Sequence, residues 1–489
     1  MSLELAAIAA NRFGLGARPG DLAAIAGDPR GWLLAQLRPE TGLPATLRAL
    51  PSTAQAAGEF TRWLTSIGLT GKAGKAGEAV ALSRDARKPD AMAVTTDGGQ
   101  PLSVEKSYVR YFWPAYAAGV EARFQTGVAS ERPFFERLSR FWANHFTVSA
   151  AKADIIALTP LFERDVVRAH VCGRFEDMLL ASCHHPAMLI YLDNYLSIGP
   201  RSFLAGHPGF LPPYLRERMK GLNENLGREI LELHTLGVRS GYTQADVTTL
   251  SKIITGWSVH GPRDMPPGGP VFHFINAAHE PGAQTLLGRI YEAQGEEQGV
   301  SALTDLARHP ATARHLATKL ARSFIADDPP PAAVDRIAAA FQRSGGDLVQ
   351  TATALVESPE AWTPRPAKIK PPEDYLLSTV RALGGPPLSG LQLIALLDRM
   401  GQRPFWAPGP DGWPDVEDSW IGADAVWKRV EWASTLAGGY AAANIDPARI
   451  ADAALGPQLG ETTRQAIRGA DSPAQGLALF LVSAEFQRR

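Results

Sequence analysis

Three features of the sequence predict a mainly α fold, a large multi-helix assembly with long Pro/Gly/Trp-rich loops. Apolar residues recur at three- and four-residue spacing along most of the chain, whereas the strict alternation of half-buried strands is scarce. Helix starts of one kind also recur, a polar residue followed by proline, at His185–Pro186, His309–Pro310 and Ser358–Pro359. Proline is harmless at a first helical position, because its missing N–H would have no helical partner there. Finally, 45% of the 489 residues are apolar and 20% are charged, a globular balance with ample material for a core.

The first part, residues 1–102, reads as a helical region. Its segment near 71–101 is rich in Gly, Lys and Asp, most clearly at 71–77 and 84–101, and is expected to be mobile. The glycines of "FGLGARPG" (13–20) lack the G-x-G-x-x-G spacing and come after no strand, so they form a loop rather than a nucleotide fingerprint. No basic start followed by an apolar stretch opens the chain, and no apolar run approaches the roughly 18 residues of a spanning helix. With only Cys172 and Cys183, neither a disulfide framework nor a zinc spacing exists. A reducing, cytoplasmic setting is the expectation. The net charge of −1 gives no field for nucleic acid.

The second part, 103–260, is a central helical core. In "SERPFFERLSRFWANHFTVS" (130–149), Phe134, Phe135, Leu138, Phe141, Trp142 and Phe146 share one helix face with His145 near its middle. Arg137, Arg140 and Asn144 lie opposite. A histidine so placed is buried and needs a hydrogen-bond partner. A structural core bond would supply one. The sharper alternative pairs it with an acid from another helix, Asp193 or Glu229, which would fix its tautomer.

"GLNENLGREILELHTLGV" (221–238) reads as one helix. At about 100° per residue, Leu226, Ile230 and Leu233 fall between about 180° and 240°, the core face. Glu224, Asn225, Arg228, Glu229 and Glu232 span about 0° to 140°, and His234 falls near 280°. A regular helix therefore cannot present Glu229 and His234 to one metal ion, and the Glu-x-x-His spacing of di-iron bundles is absent. Gly237 reads as a C-cap glycine, with His234 placed to bond a free carbonyl in the last turn. Thr243–Asp246 reads as a capping box.

The third part, 261–489, is again helical, with a Trp/Pro-rich loop at 403–420. Residues 260–274, "HGPRDMPPGGPVFHF", read as irregular. Trp406, Trp413 and Trp420 recur every seven residues, but the prolines between them forbid a heptad helix. Their rings plug the core or line a sugar-stacking cleft, and their large apolar area favours the plug.

Six stretches carry a resemblance: "NRFGLGARPGD", "FWANHFTVS", "HPAMLIYLDNYLSIGP", the long 221–257 motif, "HPATARHLATKLARSFIADDPP" and "GPDGWPD". Together they resemble the bacterial domain-of-unknown-function 1800 family over nearly the whole chain. The resemblance implies no activity and no cofactor. It does imply one partner, because genes of this family often neighbour those of a protein resembling the alkaline-phosphatase and sulfatase superfamily.

Two functions of different class are open to such a chain. In the first, it is an enzyme whose cleft uses His145, Asp193 and Glu229 for proton transfer, with or without a metal ion. Asn223, Asn225, His234 and Trp257 would then hold the substrate. In the second, it is a non-catalytic helical partner or scaffold whose polar residues form a buried network.

Overall fold

The computed structural model describes residues 2–66, 94–95, 101–102, 104–211, 213–260, 271–385, 387–440, 442 and 445–489. Among these, 63% are helical and 4% are in strands, a mainly α fold. The expected loops at 71–77 and 84–101 lie outside the described residues, apart from the strand Val94–Thr95 and Pro101.

The principal helices are α1 (Ser2–Ile8), α2 (Val104–Ala129), α3 (Pro133–His145), α4 (Asn225–Glu229), α5 (Gln244–Ile253), α6 (Pro310–Phe324) and α7 (Pro372–Leu383). Two of them run on into π-helical turns, α1 into Ala9–Phe13 and α4 into Ile230–His234.

The recurrent polar–proline starts are helix starts. His309 and His185 each accept a backbone N–H with the ring, from Ala311 and Ala187, with proline next in line. Ser358 differs: its hydroxyl donates back to the Ala354 carbonyl at 2.8 Å, and it leads into the short 3-10 helix Pro359–Trp362. Thr243 and Asp246 form the capping box of α5.

Strands occur as three antiparallel pairs among the described residues. One corrects the reading of 260–274 as wholly irregular. Phe272–Phe274 pairs with Trp257–Val259, Trp257 opposite Phe274, while 261–270 lie outside the described residues.

The largest buried cluster draws on residues 6–56, 134–257 and 286–362 together, so all three sequence regions share one core. A second cluster packs α2 against α7 and residues 393–397, and a third gathers 375–486. The 11–21 motif works as a staple between distant parts. Arg12 donates to the carbonyls of Ala361 at 2.6 Å and Arg365 at 2.9 Å, and Asn11 donates to that of Ala454 at 3.1 Å. Arg381 on α7 returns the contact, donating to the carbonyls of Gly16, Gly127 and Val128. No helix among the described residues is long and apolar enough to cross a membrane.

Candidate active site

The end of the central motif is not a regular helix. In a π turn the backbone closes over one more residue than in an α-helix, so side chains rotate out of the 100° phase. The burial shows the shift: Leu226, Ile230, Leu231 and His234 are fully buried, whereas Leu233 is only half-buried. The angular reading that placed Leu233 in the core and His234 on its flank is therefore corrected from residue 230 onward.

A helix end leaves carbonyls without helical partners. Here two histidines from other helices satisfy them. His145, at the end of α3, donates from Nε2 to the His234 carbonyl at 3.1 Å. His315 on α6 donates from Nε2 to the Leu233 carbonyl at 3.0 Å. A carbonyl only accepts, so Nε2 carries the proton in each ring. Gly237 ends the motif at φ +92°, its N–H on the Leu231 carbonyl. A Cβ there would stand 2.7 Å from Nδ1 of His315.

His145 is 1% exposed, as its aromatic arc predicts, with the Trp142 and Phe146 rings edge-on to it. Burial first, then Lys319 and the two neighbouring histidines, hold its pKa well below 6.5. It is a neutral ring bonded to a carbonyl, with no acid as partner. His234 is fully buried too, with both ring nitrogens unpartnered, and burial pushes its pKa down to about 3.

The other residues singled out in the sequence lie apart. Asp193, at φ 59°, accepts from Lys152 at 2.7 Å, and that ammonium also caps the carbonyls of Ile190 and Tyr191. Asn223 accepts the Asn225 N–H on its side chain, and Asn225 is exposed. Trp257 is fully buried against His184, and a Cβ on Gly299 would touch its ring. Glu224 gathers Arg228, Gln244 and Thr248, whereas Glu229 is half-buried with no hydrogen bond or ion pair to any described residue. Burial first, then the carboxylates of Glu232 and Asp411, push Glu229 up to about 7. The picture of Glu229 paired with a buried group is thereby corrected.

His145 does border a cavity of about 420 Å³. The face of α3 opposite the aromatic arc, with Arg137, Arg140 and Asn144, forms one wall. Lys319 and Arg322 of α6 form the second, the first turn of α7 the third, and the 403–420 loop closes over them. Asn144 anchors that loop in both directions, donating to the Trp413 carbonyl at 2.9 Å and accepting the Trp413 N–H at 2.8 Å. Gly412, at φ +85°, sits so close that a Cβ would stand 2.5 Å from the Asn144 carbonyl oxygen. The core-plug role anticipated for the loop tryptophans holds for two of them. Trp420 is buried and Trp406 packs on the second core, while Trp413 lines the cavity.

Most charges on these walls are paired. Glu373 accepts from Arg123 and Arg140, and Asp374 from Arg137 and Arg489. Burial alone would raise Glu373, but the two guanidinium groups draw it down to about 2. Lys319 is one of those left unpaired, without a hydrogen bond or ion pair to any described residue. Burial pushes it down to about 8, against the pull of Asp415 and Asp411.

Sequence reasoning missed Lys319, Arg322, Glu373, Asp374, Asp411 and Asp415. A signal existed for the first two: His315, Lys319 and Arg322 form a four-then-three spaced stripe beside the apolar face of α6. Among the described residues, no group of three or more His, Cys, Asp or Glu is arranged to hold a metal ion.

A family model described as "Protein of unknown function (DUF1800)" matches residues 8–488. No curated protein and no solved structure matches.

Proposed function

Because the chain belongs to the DUF1800 family, whose description names no activity, its function has to be read from the cavity, and we propose that it is an enzyme acting by proton transfer on a small polar molecule held there. Lys319 is the proton-transferring group. The observation that carries this is an unpartnered, desolvated amine among the residues that line an open-mouthed cavity with charged walls. At a pKa of about 8 it is divided between its two forms near neutral pH, the condition for both taking and giving a proton. His145, bonded to the backbone at the cavity wall, holds the π turn rather than exchanging protons. A cavity of this volume is within the roughly 300–1,000 Å³ of small-ligand sites.

Reductive methylation across a pH series, read by peptide mass spectrometry, tests it. Lys319 is expected to react with a midpoint near 8, against about 10.4 for ordinary lysines. A Lys319 midpoint above 10 would remove the basis of the proposal.

A further inference from the structure

The cavity's charges do not cancel. Arg123 and Arg140 are taken by Glu163 and Glu373, and Arg137 and Arg489 by Asp374. Asp415 faces Lys368 at 3.4 Å. Three lining groups are left without an ion pair among the described residues. They are Lys319, Arg322 one turn further along α6, and Asp411 on the loop at the exposed mouth. Arg322 donates from Nε to the Asp327 carbonyl at 3.1 Å, which fixes its plane, and its two terminal nitrogens are unused.

We propose that an oxyanion group of the ligand, a carboxylate or a phosphoryl group, docks on the terminal nitrogens of Arg322 beside Lys319, with the body of the ligand against Trp413 and Phe141. This rests on reading the cavity as the active site. A guanidinium whose inner nitrogen is already held presents its outer pair as a fork, the geometry that meets an oxyanion with two parallel hydrogen bonds. Two cations side by side repel each other, and an anion between them relieves both. Asp411 across the mouth disfavours a second anionic group at the outer end of the ligand and leaves that end neutral or cationic. Trp413, half-buried, and Phe141 are aromatic residues among the lining that can meet the body.

The probes are benzoate, phenyl phosphate and benzylamine, titrated while tryptophan fluorescence is read. At least one of the two anions is expected to bind saturably, and which one tells carboxylate from phosphoryl. Arg322→Gln should weaken that binding about tenfold or more, the loss of a charge-assisted bidentate contact. Arg322→Lys, which keeps the charge and loses the fork, should fall between, and it serves if the glutamine variant does not fold. The bound anion should also move the methylation midpoint of Lys319 upward. Binding of neither anion, equal binding of benzylamine, or unchanged affinity in both Arg322 variants would overturn the proposal. If neither anion binds but the Lys319 midpoint stays near 8, the oxyanion site fails and proton transfer by Lys319 stands. If an anion binds but Lys319 titrates as an ordinary lysine, the reverse holds.

Discussion

Glu229 shows how much one carboxylate can report. Its folded pKa of about 7 lies above its ordinary 4.5, because burial and the charges of Glu232 and Asp411 disfavour ionisation. The folded state thus holds the proton more tightly than the unfolded chain. That stabilisation is fully present below about 4.5 and is lost as pH rises through about 7. Glu229→Gln removes the titration and keeps the shape. The variant is expected to gain on the wild type as pH rises from 5 to 8, measured by denaturation midpoints at both values. Parallel profiles would mean that Glu229 is not desolvated in the fold. At this scale the sequence was readable in part. The aromatic arc predicted the burial of His145, but its partner is a backbone carbonyl 89 residues away, and no side-chain spacing encodes a carbonyl. Asp193 read as an acid for His145, yet its partner is Lys152, in another stretch of chain.

Among the elements, the capped helix starts were the most legible, because a cap is a contact between residues two or three apart. The capping box at Thr243 and the histidine starts before α6 and at Pro186 arise from local chemistry alone. The π turn at Ile230–His234 was hidden, since the angular argument presupposes a fixed 100° step. That turn is held by tertiary contacts: two imidazoles on its last carbonyls and a glycine packed on one of them. His145→Ala would leave the His234 carbonyl unpaired inside an aromatic cluster and open a void. A loss of about 2–4 kcal/mol is expected from chemical denaturation. The loss should be accompanied by faster hydrogen exchange at the Gly237 amide, which closes the turn. A cost near zero would show that the turn stands without its cap. The cavity escaped notice for a related reason: its walls come from α3, α6, α7 and the 403–420 loop, and each reads alone as an ordinary polar face.

For the whole molecule, the mainly α class was plain from periodicity, whereas the sharing of one core by all three regions was not, because pairing between distant segments leaves no periodic trace. The 11–21 motif shows the consequence. Read in sequence it is a glycine loop; in the fold Arg12 and Asn11 fasten the first helix to residues 361–365 and 454. Arg12→Met leaves the carbonyls of Ala361 and Arg365 without their donor, and a loss of roughly 3 kcal/mol or more is expected. It should appear as one cooperative transition at lower denaturant, since the staple joins parts of a shared core. A separate early transition confined to the N-terminal region would contradict that. The staple also sets a clock. Asn11 and its acceptor Ala454 are 443 residues apart. At about 5–20 residues per second, a ribosome needs roughly 20–90 s to make the second after the first. Throughout that interval α1 is without its C-terminal neighbours, and refolding from denaturant is expected to be slow and chaperone-sensitive.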